Sequence, residues 1–242
     1  FDIGSGKVHF IVQCNRFLVM GQPTQGLYSP EFERDSCGFG LIANNDDKAS
    51  HRLVNRSIGA LRRLTHRGAV AADGKTGDGC GLLLKSPDSY LRAVASEAGL
   101  TLNYRFAAGL VFLDQDDECA ARARQELERQ IEVLGLNVAG WRIVPTDRSV
   151  CGDEALKTLP RFEQIFVNAS REMGNEAFNR QLFVARRKTE IALDDSDDVF
   201  YVASLSATTL AYKAMVTPEF LPVFFPDLGD PRLETSVCVF HQ

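Results

Sequence analysis

Short apolar runs with strand character follow one another closely along this chain, and that spacing constrains the fold more than any other feature. Runs at 37–44, 82–84, 104–113, 140–144, 164–168, 200–205 and 235–240 read as strands, several of them with no helix between them. Parallel strands need a crossover of a dozen or more residues, usually a helix, between each pair. Strands outnumber helices here, so the pattern predicts an α+β fold with largely antiparallel sheets rather than a βαβ nucleotide binder.

Helical periodicity is confined to four stretches. Ser50 can cap a helix whose apolar stripe is Val54, Ile58, Leu61 and Leu64, with Gly68 closing it directly after His66 and Arg67. A second helix is expected near 89–97. The clearest spans about 117–134, where acids open the helix, Ala120, Ala123, Leu127, Ile131 and Leu134 line one face, and Gly135 ends it. A fourth is expected near 176–193. No internal repeat or low-complexity segment is present.

With 242 residues and 45% hydrophobic content, the chain can bury a sizeable core without disulfides. Its net charge of -5 provides no field for nucleic acid or an anionic membrane surface, so neither is expected as a partner. No apolar run approaches the roughly 20 residues of a membrane span. The six cysteines, Cys14, Cys37, Cys80, Cys119, Cys151 and Cys238, stand singly, which predicts no metal site and a reducing, cytoplasmic setting. The chain opens on Phe1, and Met20 is read as the initiator with 1–19 as upstream sequence. Its last residues form a strand-like run with no closing turn, so the chain is expected to be cut in mid-element.

A free cysteine is by default a small buried hydrophobe. Three features set Cys37 apart: it opens a strand, Gly38-Phe39-Gly40 follows it, and the charged run Glu33-Arg34-Asp35-Ser36 before it could be a cleavage site. Cleavage there would place an α-amine, with an unperturbed pKa of about 8, beside the thiol as a general base. Glycines at 38 and 40 suggest close approach to the strand backbone. Arg67 reads on physical grounds as a solvated basic helix end that offsets the dipole, the alternative being a fixed guanidinium fork. The segment Thr76-Gly77-Asp78-Gly79-Cys80-Gly81 lacks the Gly-Lys-Ser/Thr ending of a phosphate loop and leads into a strand, so its glycines are expected to serve tight turning or close packing at a site wall. Arg62-Arg63 and Arg186-Arg187-Lys188 read as solvated helix faces.

Three segments in order, 33–43 around Ser36-Cys37-Gly38-Phe39-Gly40, 64–69 around His66-Arg67-Gly68, and 72–82 around Gly77-Asp78-Gly79-Cys80-Gly81, resemble the start of the large subunit of bacterial glutamate synthases. The likeness continues through 159–168, 200–206, Tyr212-Lys213 and Phe240-His241-Gln242. It implies a class II glutamine amidotransferase domain of the N-terminal-nucleophile hydrolase type, a four-layer α/β/β/α sandwich with antiparallel sheets, truncated at its C-terminal end. Residues 1–36 would be upstream segment and propeptide, and 37–242 the incomplete domain. By this resemblance Cys37 attacks the glutamine amide, while Arg67 and Gly38 bind substrate or orient the nucleophile. The ammonia would pass to 2-oxoglutarate at a distant flavin site. FMN and a 3Fe-4S cluster are implied in the rest of the large subunit, and FAD and NADPH on a small FAD-containing subunit, with no cofactor in this stretch. Other readings are another class II amidotransferase, such as amidophosphoribosyltransferase, or a non-catalytic regulatory domain that keeps the fold.

In the family, an arginine that grips the substrate carboxylate and an Asn-Gly oxyanion hole follow the positions matching His241-Gln242. Loss of oxyanion donors alone costs roughly 100- to 1,000-fold in rate. A polypeptide of residues 37–242 is therefore expected to release no measurable ammonia from glutamine, and turnover in a coupled ammonia assay would contradict this.

Overall fold

The computed structural model describes residues 38–169 and 173–242; Cys37 and the upstream segment lie outside the described residues. Eight strands among them form two four-stranded sheets in which every pairing is antiparallel. The first sheet contains β1 (Phe39–Ala43), β2 (Cys80–Lys85), β7 (Thr209–Ala214) and β8 (Val237–His241), in the order β1-β8-β2-β7. The second contains β3 (Phe106–Leu113), β4 (Asn137–Ile143), β5 (Arg161–Asn168) and β6 (Tyr201–Ser206), in the order β4-β5-β3-β6. The expected α+β class with antiparallel sheets is the one observed.

The helices are α1 (His51–Arg62), α2 (Asp88–Glu97), α3 (Asp117–Val133), α4 (Asp153–Lys157), α5 (Asn175–Leu193) and α6 (Leu221–Phe224). Ser50 caps α1 as its sequence position suggests, its hydroxyl accepting from Leu53 N at 3.3 Å. In α3, Asp116 accepts from the amides of Glu118 and Cys119, and the stripe Ala120, Ala123, Leu127 and Ile131 is wholly buried. Gly135 then takes φ +77°, the left-handed conformation that ends the helix.

The expected course beyond α1 needs correction. The helix ends at Arg62, and Thr65–Arg67 forms a separate 3-10 turn. Gly68 has φ -113° and ψ 158°, an extended backbone and not a left-handed cap. Its lack of a side chain serves the site described below.

β3 is buried on both faces, and its alternation divides two cores. Phe106, Ala108, Leu110 and Phe112 join a core that includes Leu82, Leu84, Leu210, Tyr212 and Phe240 of the first sheet with the apolar faces of α1 and α2. Ala107, Val111 and Leu113 join a second core under α3 and α5. The opposite face of the first sheet leaves Phe39 80% and Leu41 62% exposed.

β7 has no counterpart among the strands expected from sequence, because the turn before it carries no glycine, proline or asparagine. Ser206 Oγ makes that turn instead, accepting from Thr208 N and Thr209 N, while Asn179 accepts from Ala207 N. One turn thus carries the chain from the second sheet into the first. Ser204 Oγ joins the two sheets further, accepting from Ala211 N at 3.0 Å and Leu110 N at 3.4 Å.

A buried ion pair ties the same layers. Arg142 donates to Asp227 at 3.0 and 2.6 Å and to Gln164 at 3.0 Å, and the Tyr212 hydroxyl donates to Asp227 at 2.9 Å. Both charges are desolvated, with side-chain exposures of 13% and 5%. Removing one partner leaves the other charge buried and unpaired, so Asp227→Ala is expected to lower unfolding free energy by about 3–5 kcal/mol in urea titrations. A loss below about 1 kcal/mol would show that water reaches Arg142.

Candidate functional site

The ladder between β1 and β8 continues past the ends of both strands. Gly38 N donates to Gln242 O at 2.7 Å, and Gln242 N donates to Gly38 O at 2.8 Å. The residue that follows Cys37 is thereby pinned to the main chain of Gln242. A Cβ on Gly38 would lie 3.1 Å from Arg67 Cβ and Cγ and 3.6 Å from Leu64 Cδ1, so the stem of Arg67 rests directly on the strand backbone. Two of the three residues singled out from sequence, Gly38 and Arg67, are therefore in contact, and the third, Cys37, lies outside the described residues.

Arg67 is exposed and sits on the 3-10 turn, whose amide donates to Leu64 O at 2.7 Å. The next residue is hemmed in. A Cβ on Gly68 would collide with the side-chain amide of Gln242 and would lie 2.7 Å from Asp78 Oδ1. Asp78 Oδ2 in turn accepts from Ala69 N at 3.0 Å, and Asp78 N donates to Ala69 O at 3.2 Å. Gly68, Asp78 and Gln242 thus pack around one point under the turn that carries Arg67.

Asp78 belongs to the glycine-rich loop, whose glycines serve the close approach expected of them. A Cβ on Gly77 would lie 2.9 Å from Val216 O, and one on Gly81 2.8 Å from Tyr212 O. The loop is anchored at its far end by Asp73, which accepts from the hydroxyl and amide of Thr76 and the amide of Lys75. Those bonds, led by the Thr76 hydroxyl, hold the Asp73 carboxyl well below the usual carboxylate range. Sequence reasoning assigned no role to Asp78 or Gln242. The glycines on either side of Asp78 were the available signal for the first; nothing local marks the second.

The family of class II glutamine amidotransferases matches this chain over residues 37–242, from the candidate nucleophile through the strand that pins its neighbour. The chain belongs to the class II glutamine amidotransferases. It is 37% identical over 219 residues to the NADPH glutamate synthase large chain of Bacillus subtilis and 38% identical over 222 residues to that of Azospirillum brasilense. Each match covers 90% of this chain but only 14% and 15% of those proteins. The ferredoxin-dependent glutamate synthase 1 of Arabidopsis thaliana is 35% identical over 214 residues, 87% of this chain and 13% of that protein.

In this amidotransferase chain burial works against the thiolate form at three of the four described cysteines. Burial pushes the Cys80 thiol up to about 12 and the Cys238 thiol up to about 11, and burial raises Cys151 as well. No group of three or more His, Cys, Asp or Glu that could hold a metal ion occurs among the described residues. Arg186 and Arg187 pair with Glu190 on α5, as expected of a helix face.

On the opposite face of β8 from Gln242, His241 forms a row with Phe39, Gly81 and Lys213 across the first sheet. Gly81 gives it room, since a Cβ there would lie 3.0 Å from His241 Nε2 and 2.9 Å from Lys213 Cγ. Burial, and then the neighbouring Lys213 charge, lower the His241 pKa, and Asp78 partly opposes them. Between that lowered value and the unfolded value near 6.5, the unfolded chain binds more protons, so stability falls as pH drops through this window. The urea midpoint is expected to fall between pH 7 and pH 5, and His241→Gln to flatten that decline. An undiminished decline in the variant would assign it to other groups.

Proposed function

We propose that this chain is the nucleophile-bearing part of the glutaminase domain of a glutamate synthase, with Cys37 as the first residue of the processed protein. The supporting observation is the Gly38–Gln242 main-chain pair: it fixes the residue next to Cys37 beneath Arg67, at the point where the family match begins. In this reading the α-amine of Cys37 takes the thiol proton, and sulfur attacks the glutamine δ-carbon. The C–N bond breaks, the amine's proton goes to the leaving nitrogen, and ammonia departs to leave a γ-glutamyl thioester. Water attacks the thioester, glutamate leaves, and the thiol is restored. Arg67, whose stem lies on Gly38, orders the surroundings of the nucleophile, and Gly38 provides the close approach.

The same reading makes residues 1–36 upstream segment and propeptide and 37–242 part of a four-layer sandwich in which the two sheets lie between helical layers. The division of β3 between two cores supports one part of that arrangement, the second sheet lying between the first sheet and the layer of α3 and α5. Glutamine is the substrate, the remainder of the large subunit and a small FAD-containing subunit are the partners, and the setting is cytoplasmic. Ammonia is used elsewhere in the whole protein to convert 2-oxoglutarate to glutamate. FMN and the iron–sulfur cluster belong to that remainder, and no step of the glutaminase reaction runs through them.

A diazo-ketone glutamine analogue is expected to alkylate the full-length processed protein once per chain at Cys37, with labelling abolished in Cys37→Ser and prevented by excess glutamine. Absence of labelling would favour a regulatory domain that keeps the fold.

A further inference from the structure

Gln242 is buried to 4% exposure, and neither its Nε2 nor its Oε1 has a hydrogen-bond partner among the described residues. An apolar side chain of the same shape would fill this space without burying an unpaired amide. Among the described residues its amide therefore gains no hydrogen bond to offset its desolvation. Native proteins leave few such groups, and each asks for a partner or a role.

Its place in the molecule suggests that use. Phe240 and Gln242 lie on the core face of the sheet, and His241 lies on the other. The Gln242 amide packs into the space that a Gly68 side chain would take, beside Asp78, directly under the turn that carries Arg67. The main chain of Gln242 meanwhile grips Gly38, the neighbour of Cys37. One residue thus touches both halves of the candidate site, through its backbone on one side and its amide on the other.

We propose that Gln242 is a positioning residue for glutaminase chemistry, its buried amide closing on the 65–69 turn when glutamine is bound and so setting Arg67 in register with the nucleophile. Hydrogen bonds of this kind are commonly unmade in the free enzyme and tighten only in the substrate complex. The inference rests on the glutaminase reading above. It differs from a packing role in its consequence: removing the amide while keeping the shape should spare the fold and harm the chemical step.

The test uses the full-length processed protein. Gln242→Met keeps length and volume without the amide, and Gln242→Asn keeps the amide but draws it back by one methylene. Both are expected to lower kcat for glutamine hydrolysis about 10- to 100-fold, because a small misplacement near the chemistry is costly. KM should stay within about twofold, since Gln242 is proposed to align Arg67 and not to hold glutamine itself. The Met variant should also unfold at the same or a higher denaturant concentration than the parent. Wild-type kcat in the folded Met variant, or in the Asn variant should the Met variant fail to fold, would overturn the proposal. So would a loss of activity that merely tracks a loss of folded protein. A parent protein that releases no ammonia from glutamine would instead sink the glutaminase reading itself, and this inference with it.

Discussion

The arrangement depends on the register of one pair of strands. β1 is an edge strand whose partner in its sheet is β8, so the position of Gly38, and of whatever precedes it, follows from where β8 lies. A slip of one residue would turn His241 into the core and Phe240 out to solvent. Packing blocks that slip. A Cβ on Gly40 would sit 2.5 Å from Phe240 Cζ, so the far end of that ring takes the space a side chain at 40 would need. Phe240 locks the pairing, and the pairing delivers Gly38 to Gln242.

From that fixed point the site is assembled by omission as much as by contact. Glycines at 38 and 68 remove the side chains that would hold Arg67, Asp78 and the Gln242 amide apart. Asp78 then closes the loop end by taking the amide of Ala69, while Asp73 secures the other end. The two faces of β8 have different electrostatic surroundings. His241 lies beside Lys213, and burial and that charge both favour its neutral form, whereas Gln242 is an uncharged amide held in a desolvated space. The buried Cys80 and Cys238 thiols, raised far above neutral pH, add no competing nucleophile.

Much of this was legible in the sequence because it is encoded locally. The Ser50 cap, the stripe of α3 and its glycine stop are all readable within one element, and each is present except that Leu134, the last of the five stripe residues, caps the helix and is only partly buried. The antiparallel class followed from strand adjacency. What escaped depends on residues far apart in the chain. β7 begins after a turn made by one serine hydroxyl and a helix-borne asparagine, which leave no turn signature. Gly68 resembles a helix cap until Gln242, 174 positions later, is seen to occupy its missing side chain. Asp78 and Gln242 become site residues only through the meeting of loop, turn and sheet edge. Arg67, read on physical grounds as a solvated helix end, is exposed, yet its stem also lies on Gly38.

In the proposed chemistry the base that activates the thiol is the main-chain nitrogen of the same residue, made available when the leader is removed. N-terminal sequencing of the native protein, combined with a glutaminase assay on the same sample, tests this most directly. Active molecules should begin at Cys37 with an unblocked amine. Active molecules that still carry the preceding residues would contradict it.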